Sequence, residues 1–175
     1  MSVVTLGVYL VIGRPALAGG AYASRLEALR QRPEETYNGE EWLAVLADDA
    51  RRNPADPWPL LATGEVYLRI NRPDEAARAF DAALRREPRS VDALIGVARS
   101  IATIEGRFTP DALAYLEQAS SISDDPAPWI YRAMAAMESE NAADTRRMWG
   151  EALARMGPDD PRRAMAARFA AGQQP

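Results

Sequence analysis

The chain has 175 residues, 21 basic against 25 acidic for a net charge of −4, and no basic run long enough to follow a phosphate backbone, so nucleic acid is not an expected partner. It has no cysteine and no histidine, and every basic residue is arginine. This excludes thiol redox chemistry, zinc–thiolate sites, imidazole metal or haem ligation and the usual general base, and leaves a carboxylate pair as the one remaining catalytic route. A hydrophobic share of 47% with 26% charged residues is that of a soluble globular chain, long enough for one domain with one sizeable core.

Residues 1–13 are apolar and are broken by Arg14-Pro15. A helix of about 12 residues reaches roughly 18 Å, short of a hydrocarbon core of about 30 Å, so the segment cannot span a bilayer alone. Three readings fit it: the end of a transmembrane helix whose start lies outside this chain, a signal-peptide apolar region with Ala16-Leu17-Ala18 or Ala21-Tyr22-Ala23 as cleavage site, or an apolar arm packed on the domain. Residues 14–39 read as a linker punctuated by Gly19-Gly20, Pro33 and Asn38-Gly39, with a short helix from Tyr22 to Arg30. Glu40 to Arg52 is an expected helix with Trp42, Leu43, Leu46 and Ala47 on one face, stopped by Asn53-Pro54.

From residue 57 the chain repeats. Leu60, Gly64, Tyr67, Ala76, Phe80, Ala83 and Pro88 alternate large and small residues at the spacing of a tetratricopeptide (TPR) helical hairpin, over residues 57–90. The small residues mark where two antiparallel helices approach, the aromatic ones fill the gaps beside them, and Asn71-Arg72-Pro73-Asp74 makes the turn. A second copy, 91–125, carries Leu94, Val97, Ala98 and Ile101, then Ala112, Leu116 and Ala119, with Thr109 capping its second helix and Pro110 at the first position. A third, 126–158, carries Trp129, Ala133 and Ala136, then Thr145, Trp149 and Ala152. Residues 159–172 form a capping helix, because an unpaired stack end would expose apolar surface. The expected fold is all-α, a TPR helical-hairpin solenoid of about three repeats over residues 40–175.

In this register the first helix of each hairpin turns one face to the concave groove. That face holds Trp58, Leu61, Glu65, Leu68 and Arg69, then Ile95 and Arg99, then Ile130, Met134, Met137 and Glu138. An apolar strip with adaptable methionines and a few charges suits an amphipathic helix laid along it, so these are the candidate peptide-binding residues. A second reading stays open, in which the chain's own N-terminal segment fills the groove. Trp129 and Trp149 fall at repeat core positions. The acidic pairs Glu34-Glu35, Glu40-Glu41, Asp48-Asp49, Asp124-Asp125 and Asp159-Asp160 read as caps or solvated faces, since adjacent carboxylates on a helix or turn point apart. No catalytic residue, metal site or cofactor is expected, and the chain reads as a non-enzyme.

Four segments go beyond a generic repeat: Val8-Tyr-Leu-Val-Ile-Gly-Arg-Pro15, Asn53-Pro-Ala-Asp-Pro-Trp58, Gly106-Arg-Phe-Thr-Pro-Asp-Ala112 and Arg147-Met-Trp149. Together they resemble the periplasmic part of the cytochrome c maturation protein I family (CcmI, also called CycH), over nearly the whole chain. The resemblance implies that residues 1–13 end a transmembrane helix, followed by a linker and a TPR domain on the periplasmic side of the bacterial inner membrane. It implies a chaperone that holds the C-terminal helix of apocytochrome c for the haem-ligation complex. The chain departs from the family in lacking its first transmembrane helix and cytoplasmic loop. The residues alone leave a second function open, a generic TPR adaptor joining two unrelated proteins.

Overall fold

A computed structural model describes residues 15–173 of the chain. Among these residues it is all-helical, with nine α-helices: α1 (Pro15–Arg30), α2 (Gly39–Arg52), α3 (Trp58–Arg69), α4 (Pro73–Arg86), α5 (Val91–Glu105), α6 (Pro110–Ile122), α7 (Ala127–Glu138), α8 (Ala142–Arg155) and α9 (Arg163–Ala170). Helices α3 to α8 form three hairpins, each helix packs on the next in sequence, and α3 also packs on α5. This is the expected TPR solenoid. The apolar stretch expected to end a transmembrane helix lies outside the described residues, and no helix among those described is long and apolar enough to cross a membrane.

The helix ends follow local chemistry. Asn38 and Glu41 form a reciprocal capping box at the start of α2, and the Thr109 hydroxyl accepts the Ala112 N–H at the start of α6. Proline stands in the first turn of α3, α4, α6 and α7, where its missing N–H removes no intrahelical bond. Helix α1 runs unbroken through Gly19-Gly20, where the sequence reading placed a linker with a helix only from Tyr22. Isolated glycines weaken a helix by about 1 kcal/mol each against alanine, and the alanine- and leucine-rich flanks carry the helix through them.

The core is continuous along the hairpins. Ala76, Phe80 and Val97 join the first two repeats, Leu94, Ala98, Ala112, Leu116 and Ala119 fill the second, and Ala133, Met148, Trp149, Ala152 and Ala166 tie the third to the capping helix. The Phe80 ring packs so closely on two helices that a Cβ at Gly64 would lie 2.6 Å from it and one at Gly96 2.4 Å. Helix α1 is held by buried Leu26 and by ion pairs: Arg30 reaches Asp48 at 3.2 Å and Asp49 at 2.5 Å on α2.

Candidate functional site

The first helices of the three hairpins, α3, α5 and α7, place equivalent residues side by side, and the structure sorts the expected groove residues into three groups. Leu61, Ile95 and Ile130 are equivalent, and all three turn into the packed core of the solenoid. Ile95 is only 6% exposed, and Leu61 and Ile130 pack against the neighbouring core clusters, as does Leu68. The apolar members of the expected strip therefore go largely to the solenoid itself. Burial is most complete in α5, where Ala93, Leu94, Ile95, Gly96, Val97, Ala98 and Ser100 are all buried.

One helical turn on, Glu65, Arg99 and Met134 are equivalent and stay at the surface. The Arg99 guanidinium donates to the Glu65 carboxylate at 2.6 Å and lies 5.9 Å from the Tyr131 ring centroid, so one side chain ties α3, α5 and α7 together. In the third repeat the surface becomes apolar: Met134 is 44% exposed and Met137 38%. Trp58, at the start of α3, is 56% exposed. Arg69 is exposed and forms no ion pair among the described residues. Glu138 accepts the Phe108 N–H at 3.1 Å, which fixes the long α5–α6 turn against the end of α7.

A concavity that the sequence reading did not anticipate opens beside Met137. It has a volume of about 480 Å³ and is lined by Met137, Glu140, Ala142, Thr145, Arg146, Phe169, Gly172 and Gln173. Met137 is the one candidate residue among them. The Trp149 indole N–H meets the Met137 sulfur at 3.4 Å and the Trp149 ring stacks on Phe169 with centroids 5.2 Å apart, so the apolar wall is held from behind. The signal in the sequence is slight, since the wall combines the end of a first helix, a second helix and the capping helix, and the repeat register places a groove along first helices only.

Four of the paired carboxylates, Glu41, Asp48, Asp125 and Asp160, have a clear role. Asp125 and Asn38–Glu41 cap helices, and Glu41 has a lowered pKa because it accepts the Asn38 backbone N–H and an Arg32 hydrogen bond. Asp160 is held down to about 2 by its hydrogen bonds from the Arg162 side chain and backbone. Asp48 is neither a cap nor solvated. It is 8% exposed and gathers Arg30, Arg51 and Arg52. Burial raises its pKa, and hydrogen bonds from Arg30 and Arg52 outweigh this, leaving it lowered. Trp129 packs between the expected core and two guanidinium groups, Arg155 at 4.4 Å and Arg132 at 4.9 Å from its ring centroid. The arrangement as a whole offers surfaces and fixed charges, suited to holding a ligand by contact.

Residues 57–100 match the family model of the tetratricopeptide repeat. No curated protein matches the sequence significantly. Among solved structures the fold is similar to a thermophilic TPR protein of Thermus thermophilus, with a TM-score of 0.63 and 17% identity over 93% of this chain and 96% of that one. It is also similar to MamA, with a TM-score of 0.58 and 12% identity over 76% of this chain and 86% of that one. At these identities the likeness is one of fold. Arrays of this kind are generally non-catalytic scaffolds that bind other proteins along the surface their first helices build.

Proposed function

We propose that this chain is a non-catalytic TPR scaffold that holds a helical segment of another polypeptide along α3, α5 and α7, and that the segment is the C-terminal helix of apocytochrome c. The observation that carries the binding reading is the exposed Met134–Met137 pair next to the Glu65–Arg99 bridge: adaptable apolar surface beside fixed charges, on three successive first helices. The cytochrome assignment draws on the Val8–Pro15, Gly106–Ala112 and Arg147–Trp149 segments that resemble the CcmI family. With it come presentation to the haem-ligation complex and a place at the periplasmic side of the inner membrane, tethered through an extended N-terminal apolar segment.

The test is a fluorescence titration of the purified chain with helical C-terminal peptides of c-type cytochromes and with helical peptides of unrelated proteins. The cytochrome peptides bind, and Met134→Glu and Met137→Glu each weaken them at least tenfold with the unfolding midpoint unchanged. Equal affinity for unrelated helices removes the cytochrome assignment and leaves the coarser function, an adaptor between two other proteins. That second reading is favoured by one observation, that the matched family model is the generic repeat over residues 57–100.

A further inference from the structure

The cavity between α7, α8 and α9 carries two charged side chains, Glu140 and Arg146, and neither forms an ion pair or side-chain hydrogen bond among the described residues. Neighbouring arginines are satisfied: Arg147 by Asp144 at 2.6 Å, Arg155 by Glu151 at 2.6 Å and Arg162 by Asp160 at 2.8 Å. Arg146 is positioned by backbone instead. Gly172 closes α9 with φ +78°, its N–H donating to the Phe169 carbonyl and the Gln173 N–H to that of Arg168. A Cβ at residue 172 would lie 3.2 Å from Arg146 Cδ, so the glycine leaves room for the arginine stem to lie along the chain turn. The guanidinium fork is thus presented to the cavity without an internal counter-ion, next to Met137 and Phe169.

We propose that this cavity seats a carboxylate side chain of the bound segment on Arg146, with a neighbouring large apolar side chain against Met137 and Phe169. The proposal rests on the reading that the chain holds a polypeptide segment, and it specifies the chemistry of one contact. A planar guanidinium pairs with a carboxylate in bidentate fashion, and the apolar wall beside it lowers the competition from water. Glu140 sets a second condition. It occupies a left-handed backbone position, φ +55°, whose equivalent in the first repeat is Asn71 at φ +57°, and it places a negative charge on the cavity rim. A uniformly acidic segment is repelled there, so the partner is amphipathic with mixed charge. The chain's own leading residues 1–13 contain no acidic residue and so offer Arg146 no carboxylate.

Two designed 18-residue helical peptides test this, identical in a leucine stripe and differing only in Glu or Lys one turn from the central leucine, titrated against the full chain by fluorescence polarisation. The Glu peptide binds at least tenfold tighter to the natural chain, Arg146→Gln removes the preference, and Arg146→Glu inverts it towards the Lys peptide. Equal binding of both peptides to the natural chain, or a preference untouched by Arg146→Glu, overturns the proposal. If Met134→Glu abolishes binding while the Arg146 variants change nothing, a segment is still held and only the carboxylate seat fails. If neither peptide binds, the carboxylate seat falls, and the titration with cytochrome peptides decides the wider reading separately. Tighter binding without preference after removal of residues 1–14 assigns the cavity to the chain's own leading segment, and a dimer dissociated by Arg146→Glu assigns it to a second copy. Either result overturns the proposal.

Discussion

Gly96 of α5 lies directly against the Phe80 ring of α4, so that a Cβ at residue 96 would stand 2.4 Å from Phe80 Cδ1. Gly64 of α3 meets the same ring from the other hairpin helix, at 2.6 Å. Phe80 is 1% exposed and has no room to swing away. Gly96→Ala therefore destabilises the chain by about 1–3 kcal/mol, the usual cost of overpacking, even though alanine is the better helix former by about 1 kcal/mol. Urea unfolding measures this. In a Phe80→Leu background the same change costs less, and additive effects in that double-mutant cycle would disprove the clamp.

Asp48, together with Asp49, anchors α1 through Arg30. The Asp48 pKa is lowered in the fold, so the pairing with Arg30, Arg51 and Arg52 contributes its full stability above the ordinary carboxylate range and loses it as pH falls through the lowered value. Asp48→Asn combined with Asp49→Asn at neutral pH removes both carboxylates that pair with Arg30, without changing their volume. The expected result is fast amide exchange across α1 with exchange in α3–α8 unchanged. Protected α1 amides in that variant would show that Leu26 packing suffices.

Asp160 gives a second pH signature. Its carboxyl titrates at about 2, against an ordinary 3.8, because Arg162 donates to it from side chain and backbone. Its contribution to the turn before α9 is complete above pH 3.8 and disappears as pH falls from there to about 2. Arg162→Ala raises the Asp160 pKa towards the ordinary value, as read by carboxyl NMR, and leaves the neutral-pH structure of α8 unchanged.

The repeat register was legible because each position in it has a fixed job: Gly64, Ala76, Phe80, Ala98, Ala112 and Ala133 are small or aromatic where two helices must close on each other, and all are buried. Gly96 escaped because it stands two residues before the register position held by Ala98. Its signal was a glycine in mid-helix, which needs a packing reason, and the reason lies in a different repeat. The groove was half legible. Helical spacing places Leu61, Ile95 and Ile130 on the same face as Glu65, Arg99 and Met134, and no local pattern says which of two adjacent rows faces the next hairpin. In the sequence Asp48 reads as a cap or solvated face, because the partner that buries it, Arg30, is eighteen positions away on a helix the sequence only half reveals.

Glu140 invites a stabilising change. A left-handed conformation costs an L-residue roughly 1–2 kcal/mol, and glycine avoids this at an entropic cost of about 0.5–1 kcal/mol. Glu140→Gly is expected to raise stability by roughly 0.5–1 kcal/mol, read as a higher urea midpoint at unchanged slope. A loss of stability would mean that the Glu140 side chain makes contacts worth more than its backbone strain.

The Glu65–Arg99 bridge has a short N–O distance of 2.6 Å, yet its side chains are 46% and 31% exposed. Pairs in that setting contribute about 0–1 kcal/mol, because water already screens them and two long side chains must be ordered. A double-mutant cycle with Glu65→Ala and Arg99→Ala is therefore expected to give a coupling below about 1 kcal/mol for folding. Arg99→Ala alone costs more than Glu65→Ala, since it also strips the contact with Tyr131 on α7. The same two variants should differ far more in peptide binding than in stability, because a ligand helix covering the bridge excludes the water that weakens it. A folding coupling above about 2 kcal/mol would instead make the pair part of the scaffold, and the charges available to a ligand would have to be sought further along α7, at Glu138, or on α8, at Arg146.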